Sequence, residues 1–351
     1  MPQDARSFQR EAAPVAELLS SVNDSFYETY EFNKDRYREG GHKAKGSGAF
    51  RQKWGLDLSK VEMSRESGKH RLTWGGDLVE VQNHILYYIV SNSIENEPTL
   101  NDFFDYEVVN RERVTRNITN AWRDEFALND PVNGSPKERM RIAEWRIIMC
   151  YYAVYKSISA LMRTRFDDSW SHSDMWMKHM NKFVDELKGD LYAYPFMFFP
   201  RNSGPHSTKW FDWTVPYPIQ DHLRSEEQAT LQENAERCLS SIHSDIRKIA
   251  SNGTFVTFYD LLHHLRTWAN YQHGGIFSRL YGEGYIQMTD EALRLITFTG
   301  MTIAEVGLIQ ALGLDYIKSE YKSYQESCEA GKVPDAAHFI DRRMHVYEQA
   351  F

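Results

Sequence analysis

Cysteine is scarce in this chain: three residues, Cys150, Cys238 and Cys328, are spread over 351 positions. No two of them form a C-x-x-C pair, which excludes a zinc ribbon. Cys150 lies in an apolar stretch, where a thiol acts as a small hydrophobe. Such usage suits a reducing compartment. Long apolar runs are missing as well. No window reaches about 18 uninterrupted apolar residues. The first residues, MPQDARSFQREAAPV, hold no apolar signal-peptide core. These absences lead to the expectation of a soluble, cytoplasmic protein with no membrane partner. A surplus of positive charge is also lacking. The net charge is −8, which excludes a uniformly basic nucleic-acid coat.

Several chemical signatures are absent too. There is no H-E-x-x-H, no G-x-S-x-G and no internal repeat at solenoid periods. The segment GHKAKGSG (41–48) superficially resembles a phosphate loop. It has Ser47 where the lysine must stand, and no strand pattern precedes it. Asp260 and His263 make one acid-x-x-His pair, whereas a bundle di-metal site needs two plus bridging carboxylates. No metal and no cofactor is therefore expected.

What is present is a globular composition. Hydrophobic residues make up 42% and aromatics 14%, enough for a substantial core. Most segments carry helical periodicity, no βαβ alternation is visible, and the expected fold class is all-α. DLVEVQNHILYYIVSNSI (77–94) has helical spacing, although its β-branched content leaves a strand open. NDPVNGSP (129–136) is the clearest boundary. It separates an expected N-terminal extension, 1–135, from a helical domain, 136–351. The extension is mostly helical, with a Gly-rich loop-like segment at 34–76. Within it, residues 34–71 carry eleven Lys/Arg against five Asp/Glu. Lys43, Lys45 and Arg51 there are candidates for contact with a phosphate backbone, against the plainer reading of a solvated face.

In the second region, residues 137–165 are apolar nearly all round between Ile147 and Met162, the mark of a central helix packed on several sides. An aromatic and proline-rich stretch, 190–225, reads as an irregular insertion. Its rings could stack unpaired bases or simply pin a loop. Thr257 and Asp260 resemble a capping box at a helix start. Thr289 reads as an N-cap before Asp290 and Glu291, opening a last long helix to about residue 325.

The segment LLHHLRTWANYQHGG (261–275) stands out. On a wheel of ~100° per residue, Arg266, Asn270, His273 and His263 share a face about 80° wide. Phe258, Leu261, Leu265 and Trp268 form a separate apolar stripe. The polar row could be a wet surface with a histidine near a helix end, where the dipole favours its protonated form. Two features favour a site: the row has no Lys, Glu or Gln, and Gly274–Gly275 permits close approach of a ligand.

CYYAVYKSISALMRTR, SHSDMWMKHMNKFV, LRTWANYQHGG and YIQMTDEALRLITFT together resemble the HEPN superfamily. The likeness covers roughly residues 137–325, with 190–225 as an insertion, and leaves the first 135 residues unmatched. Members are helical bundles with an apolar Tyr-Tyr-Ala helix, an Arg-x4-6-His motif and a final helix behind an acidic N-cap. Arg266, six residues and His273 fit that spacing. The resemblance implies a metal-independent endoribonuclease acting as a toxin or antiviral defence effector, with two protomers sharing one cleft. Its partners would be RNA, a second copy of the chain and an antitoxin or defence-system protein.

Carried over by position, His273 is the acid–base group and Arg266 holds the scissile phosphate. Asn270 orients one of them or the substrate, and His263 is a neighbour on the substrate side. Thr267 departs from the pattern, since many active members carry Asn, Asp or His there. Two other readings stay open: a non-catalytic HEPN-like interaction module binding a protein or RNA, and an all-α small-molecule or metal enzyme using the histidines.

Overall fold

The structure is a computed structural model. It describes residues 110–129, 142–166, 197–199, 256–257, 283–331 and 338–351, with single positions in 78–93 and 262–270. Among the described residues the protein is helical, as the all-α expectation required. The labelled helices are α1 (Arg111–Asn129), α2 (Ala143–Met162), α3 (Glu283–Leu312), α4 (Leu314–Ala330) and α5 (His338–Ala350). Two short strands, β1 (Met197–Phe199) and β2 (Val256–Thr257), pair antiparallel with Met197 opposite Thr257. The expected irregular insertion thus holds a strand. Thr257, expected to cap a helix, sits in β2, while Asp260 lies outside the described residues.

By contacts the chain divides into two compact units. Unit 1 comprises Met1–Phe26, Val132–Tyr151 and Ser171–Ile296; unit 2 comprises Tyr27–Pro131, Tyr152–Trp170 and Thr297–Phe351. The breaks between the units include one between Pro131 and Val132, one inside α2 and one inside α3.

Helix α1 begins at an asparagine cap. Asn110 Oδ1 accepts from the Arg113 backbone N–H at 3.0 Å, satisfying one of the first-turn donors that a helix leaves unpaired. Val114, Ile118, Ala121, Trp122, Glu125 and Leu128 form its buried stripe. Helix α2 is buried along most of its length, including Ile147, Tyr151, Val154, Ile158 and Leu161. Ser157 Oγ donates to the Val154 carbonyl of the same helix at 2.8 Å, and just past the helix end Thr164 Oγ1 donates to the Leu161 carbonyl at 2.7 Å.

The last helical stretch departs from expectation. It starts at Glu283, ahead of Thr289, so Thr289 lies inside α3 rather than at its start. It does not run unbroken to residue 325. Gly313, with φ of 86°, ends α3 and opens α4. A backbone in that region breaks the helical ladder and suits glycine. The window Asp290–Leu312 is long and apolar enough to cross a membrane by length and composition, yet most of it is buried inside the protein.

Unit 2 is organised by a buried charge cluster. Arg343 of α5 has no solvent exposure. Its Nη1 and Nη2 donate to the two Glu125 oxygens at 2.6 and 2.7 Å. Its Nε and Nη2 donate to the two Glu305 oxygens at 2.7 and 2.9 Å. One planar guanidinium therefore clamps α1, α3 and α5. Glu305 also accepts from Trp122 Nε1 and from the Tyr347 hydroxyl, each at 2.8 Å. Phe298 lies 5.3 Å from the Arg343 guanidinium carbon and 5.0 Å from that of Arg342. Arg342 in turn donates to Gln82 Oε1.

Around this cluster, α4 packs on α1 and on α5. Trp122 meets Tyr324 at 5.5 Å and Tyr321, edge-on, at 6.2 Å between ring centroids. Thr115 Oγ1 and the Tyr316 hydroxyl lie 2.8 Å apart. The Tyr321 hydroxyl donates to Asp341, and Lys318 pairs with Glu348 at 3.0 Å.

Two consequences are measurable. At Gly300 a Cβ would come within 2.9 Å of Val154 Cγ1 and 3.0 Å of Cγ2. Alanine normally favours a helix interior over glycine by about 1 kcal/mol. Here Gly300→Ala should instead destabilise by roughly 1–2 kcal/mol through overpacking, and Val154→Ala should relieve that loss in the double variant. Urea denaturation of the four proteins reads the cycle, and a stabilised Gly300→Ala would remove the close approach.

The second concerns pH. Burial raises the Glu125 carboxyl above its ordinary value of 4.5, against the opposing pull of Arg343. Between the ordinary and the raised value the native chain binds more protons at this position than the unfolded chain. The Glu125 contribution is thus fully present below pH 4.5 and is lost as pH rises through the raised value. Glu125→Gln cannot titrate. The stability gap between wild type and Glu125→Gln should narrow as pH rises above 4.5; a constant gap contradicts the assignment.

Candidate functional site

In unit 1, three pieces of helix meet. Cys150 of α2 places its Sγ 3.5 Å from the Leu293 carbonyl of α3, which ties the two helices together. One turn earlier, Arg146 of α2 pairs with Asp290 of α3. Asp290 also meets Arg294, four residues on, at 3.3 Å. All three are nearly fully buried. Asp290 therefore links two guanidiniums from within α3 and does not begin a helix as the sequence suggested.

The next residue of α2, Tyr151, is fully buried. Against its ring stand two residues of the segment singled out above. The Arg266 guanidinium carbon lies 5.6 Å from the Tyr151 ring centroid, within cation–π range. The His263 ring centroid lies 6.0 Å away, tilted by 46°. Leu262, His263 and Arg266 are helical; Leu262 is buried and the other two are half-buried. So His263 and Arg266 meet the helix at the first tyrosine of its Tyr-Tyr-Ala segment.

Ala269 and Asn270 adopt π-helical geometry. Bonds from i to i+5 widen the turn, so a wheel of constant angle does not hold past that point. Asn270 is exposed whereas Arg266 is half-buried, so the two differ in their access to water. His273, Thr267, Lys43, Lys45 and Arg51 lie outside the described residues.

Sequence reasoning passed over Glu125, Glu305 and Arg343. One signal was available. Glu305 is the single charged residue between Arg294 and Leu312, and a lone carboxylate in an apolar helix demands a buried cation. That cluster is a packed, hydrogen-bonded junction whose oxygens are taken up by protein donors. Among the described residues no group of three or more His, Cys, Asp or Glu is arranged to hold a metal ion.

Compared with protein-family models, with curated proteins and with solved structures, the chain shows no significant match.

The Arg266–Tyr151 contact can be weighed by a double-mutant cycle. Arg266→Ala and Tyr151→Leu should be coupled by about 0.5–1 kcal/mol, read by chemical denaturation. Additive losses would mean that the ring does not hold the guanidinium.

Proposed function

We propose that the chain is a metal-independent endoribonuclease of HEPN type, serving as a toxin or defence effector and working as a homodimer. The observation that carries this reading is the seating of Arg266 and His263 against Tyr151. The arginine of the Arg-x6-His motif stands on the helix that carries the Tyr-Tyr-Ala segment. The π-helical turn at Ala269–Asn270 lends support, because such turns recur at functional sites.

The chemistry follows from the residue types. A guanidinium grips two phosphate oxygens at once and stabilises the charge that grows on them as the phosphorus becomes five-coordinate. An imidazole can take the proton from the RNA 2′-hydroxyl or supply one to the departing oxygen. With Arg266 and His273 in those roles, the 2′-oxygen attacks phosphorus and the bond to the next nucleotide's oxygen breaks. Asn270 would orient substrate from the exposed side of the same segment, and His263 would border the arginine. Ring contact limits the orientations of Arg266, which reduces the entropy lost when it binds phosphate.

A second reading, a non-catalytic module binding a protein or RNA, is favoured by one fact: Arg266 is half-buried, as a packing arginine would be. The two readings part on activity. Purified wild-type chain should cleave RNA in EDTA, and Arg266→Ala and His273→Ala should each lower the rate by about 10²–10⁴-fold. Both variants should also relieve the growth arrest that expression causes in bacteria. Wild-type chain that is inert on RNA and harmless on expression sinks the enzyme reading. Activity abolished by EDTA would favour a metal enzyme.

A further inference from the structure

Two of the three acidic residues of helix α1 are committed to basic partners, while three of its four arginines are exposed. Glu125 is committed to Arg343, and Asp124 pairs with Lys156 of α2 at 2.6 Å. The remaining carboxylate of the helix is Glu112, which is exposed. Against it stand Arg111, Arg116 and Arg123, all exposed, and Arg113, half-buried. Asn117 and Asn120, also half-buried, lie between them. The contacts shown for two of these arginines are with uncharged groups. Arg123 Nη1 donates to Asn120 Oδ1 at 3.4 Å, and Arg111 lies 5.9 Å from the Tyr316 ring. The local charge is positive in a chain whose net charge is −8.

The spacing suits a repeating anion. At about 1.5 Å rise per residue, Arg113 and Arg116 are separated by roughly 4.5 Å along the axis, and Arg116 and Arg123 by roughly 10 Å. Positions 113, 116, 117, 120 and 123 fall on one side of the helix. The row has no lysine. Guanidiniums offer bidentate geometry to phosphate, while the asparagine amides can both donate and accept towards sugar and base. The neighbouring helix α4 does not extend the basic face, since it exposes Asp315, Glu326 and Glu329 beside Lys318 and Lys322. Among the described residues the one exposed large hydrophobic side chain is Trp145 of α2. Helix α1 thus lacks the apolar face that insertion into a lipid surface needs.

We propose that the outer face of α1, from Arg113 to Arg123, is a docking surface for the phosphate backbone of RNA, additional to the Arg266 motif. The inference stands on charge, spacing and exposure. It takes from the cleavage reading only the choice of RNA as the polyanion.

The test is fluorescence anisotropy with a labelled single-stranded RNA and the full chain carrying Arg266→Ala, which prevents turnover. Adding Arg116→Gln and Arg123→Gln should weaken binding about tenfold and flatten the dependence of log affinity on log salt by about 1. Glu112→Gln should tighten binding. Both arginines are exposed, and unchanged circular dichroism confirms the fold. Undiminished affinity in the double glutamine variant overturns the proposal. So does absence of RNA binding by the parent chain, or binding to phosphatidylserine vesicles in its place. If the wild-type chain never cleaves RNA but α1-dependent binding persists, the cleavage reading falls and this one stands.

Discussion

Arg343 sits with zero exposure between two carboxylates that arrive from different helices, and unit 2 is built around that fact. A buried guanidinium without partners is prohibitively costly, so α5 can dock only where Glu125 and Glu305 both reach it. Burial alone would pull the Arg343 proton off; the two carboxylates outweigh that pull and hold the group well above its ordinary value. Such a junction need not add stability over a well-packed apolar one. It penalises misalignment, because removing one partner of a buried pair costs about 3–5 kcal/mol. That is a large share of the roughly 5–15 kcal/mol that keeps a typical protein folded. Trp122 and Tyr347 complete the arrangement by donating to Glu305. Burial, and then the nearby Glu305 carboxylate, raise the Tyr347 hydroxyl well above its ordinary value, which keeps it a donor.

This inward commitment of acidic groups shapes the outside of α1. Once Glu125 and Asp124 are engaged, the helix turns a row of arginines and asparagines to solvent. Unit 1 handles its charges differently. Asp290 gathers Arg146 and Arg294, and the Arg266 guanidinium lies over the Tyr151 ring.

The sequence was readable where one physical signal dominated. Helix α2 is apolar almost all round and is buried almost all round. Val114, Ile118, Trp122 and Leu128 lie on one stripe of α1 and are buried together. Legibility failed where one residue type serves two purposes. Thr289, Asp290 and Glu291 have the form of a helix start, but the Asp290 carboxylate is used by Arg146. Gly313 sits in an otherwise helical run, and nothing local announces that it takes positive φ. Helix α5 went unread because its buried side mixes Arg343 with Ile340, Met344 and Tyr347, which blurs the apolar stripe. In the candidate site, the spacing of Arg266 and Asn270 was readable. The π-helical geometry at Ala269–Asn270 was not.

The central functional claim is that RNA meets the chain at the segment bearing Arg266, on the Tyr151 side of α2. The most direct measurement is ultraviolet cross-linking of a photoreactive single-stranded RNA to the 351-residue chain, followed by mass-spectrometric mapping of the attached peptides. Cross-links within residues 261–275 are the predicted result. Efficient cross-linking that leaves this segment unlabelled would contradict the account.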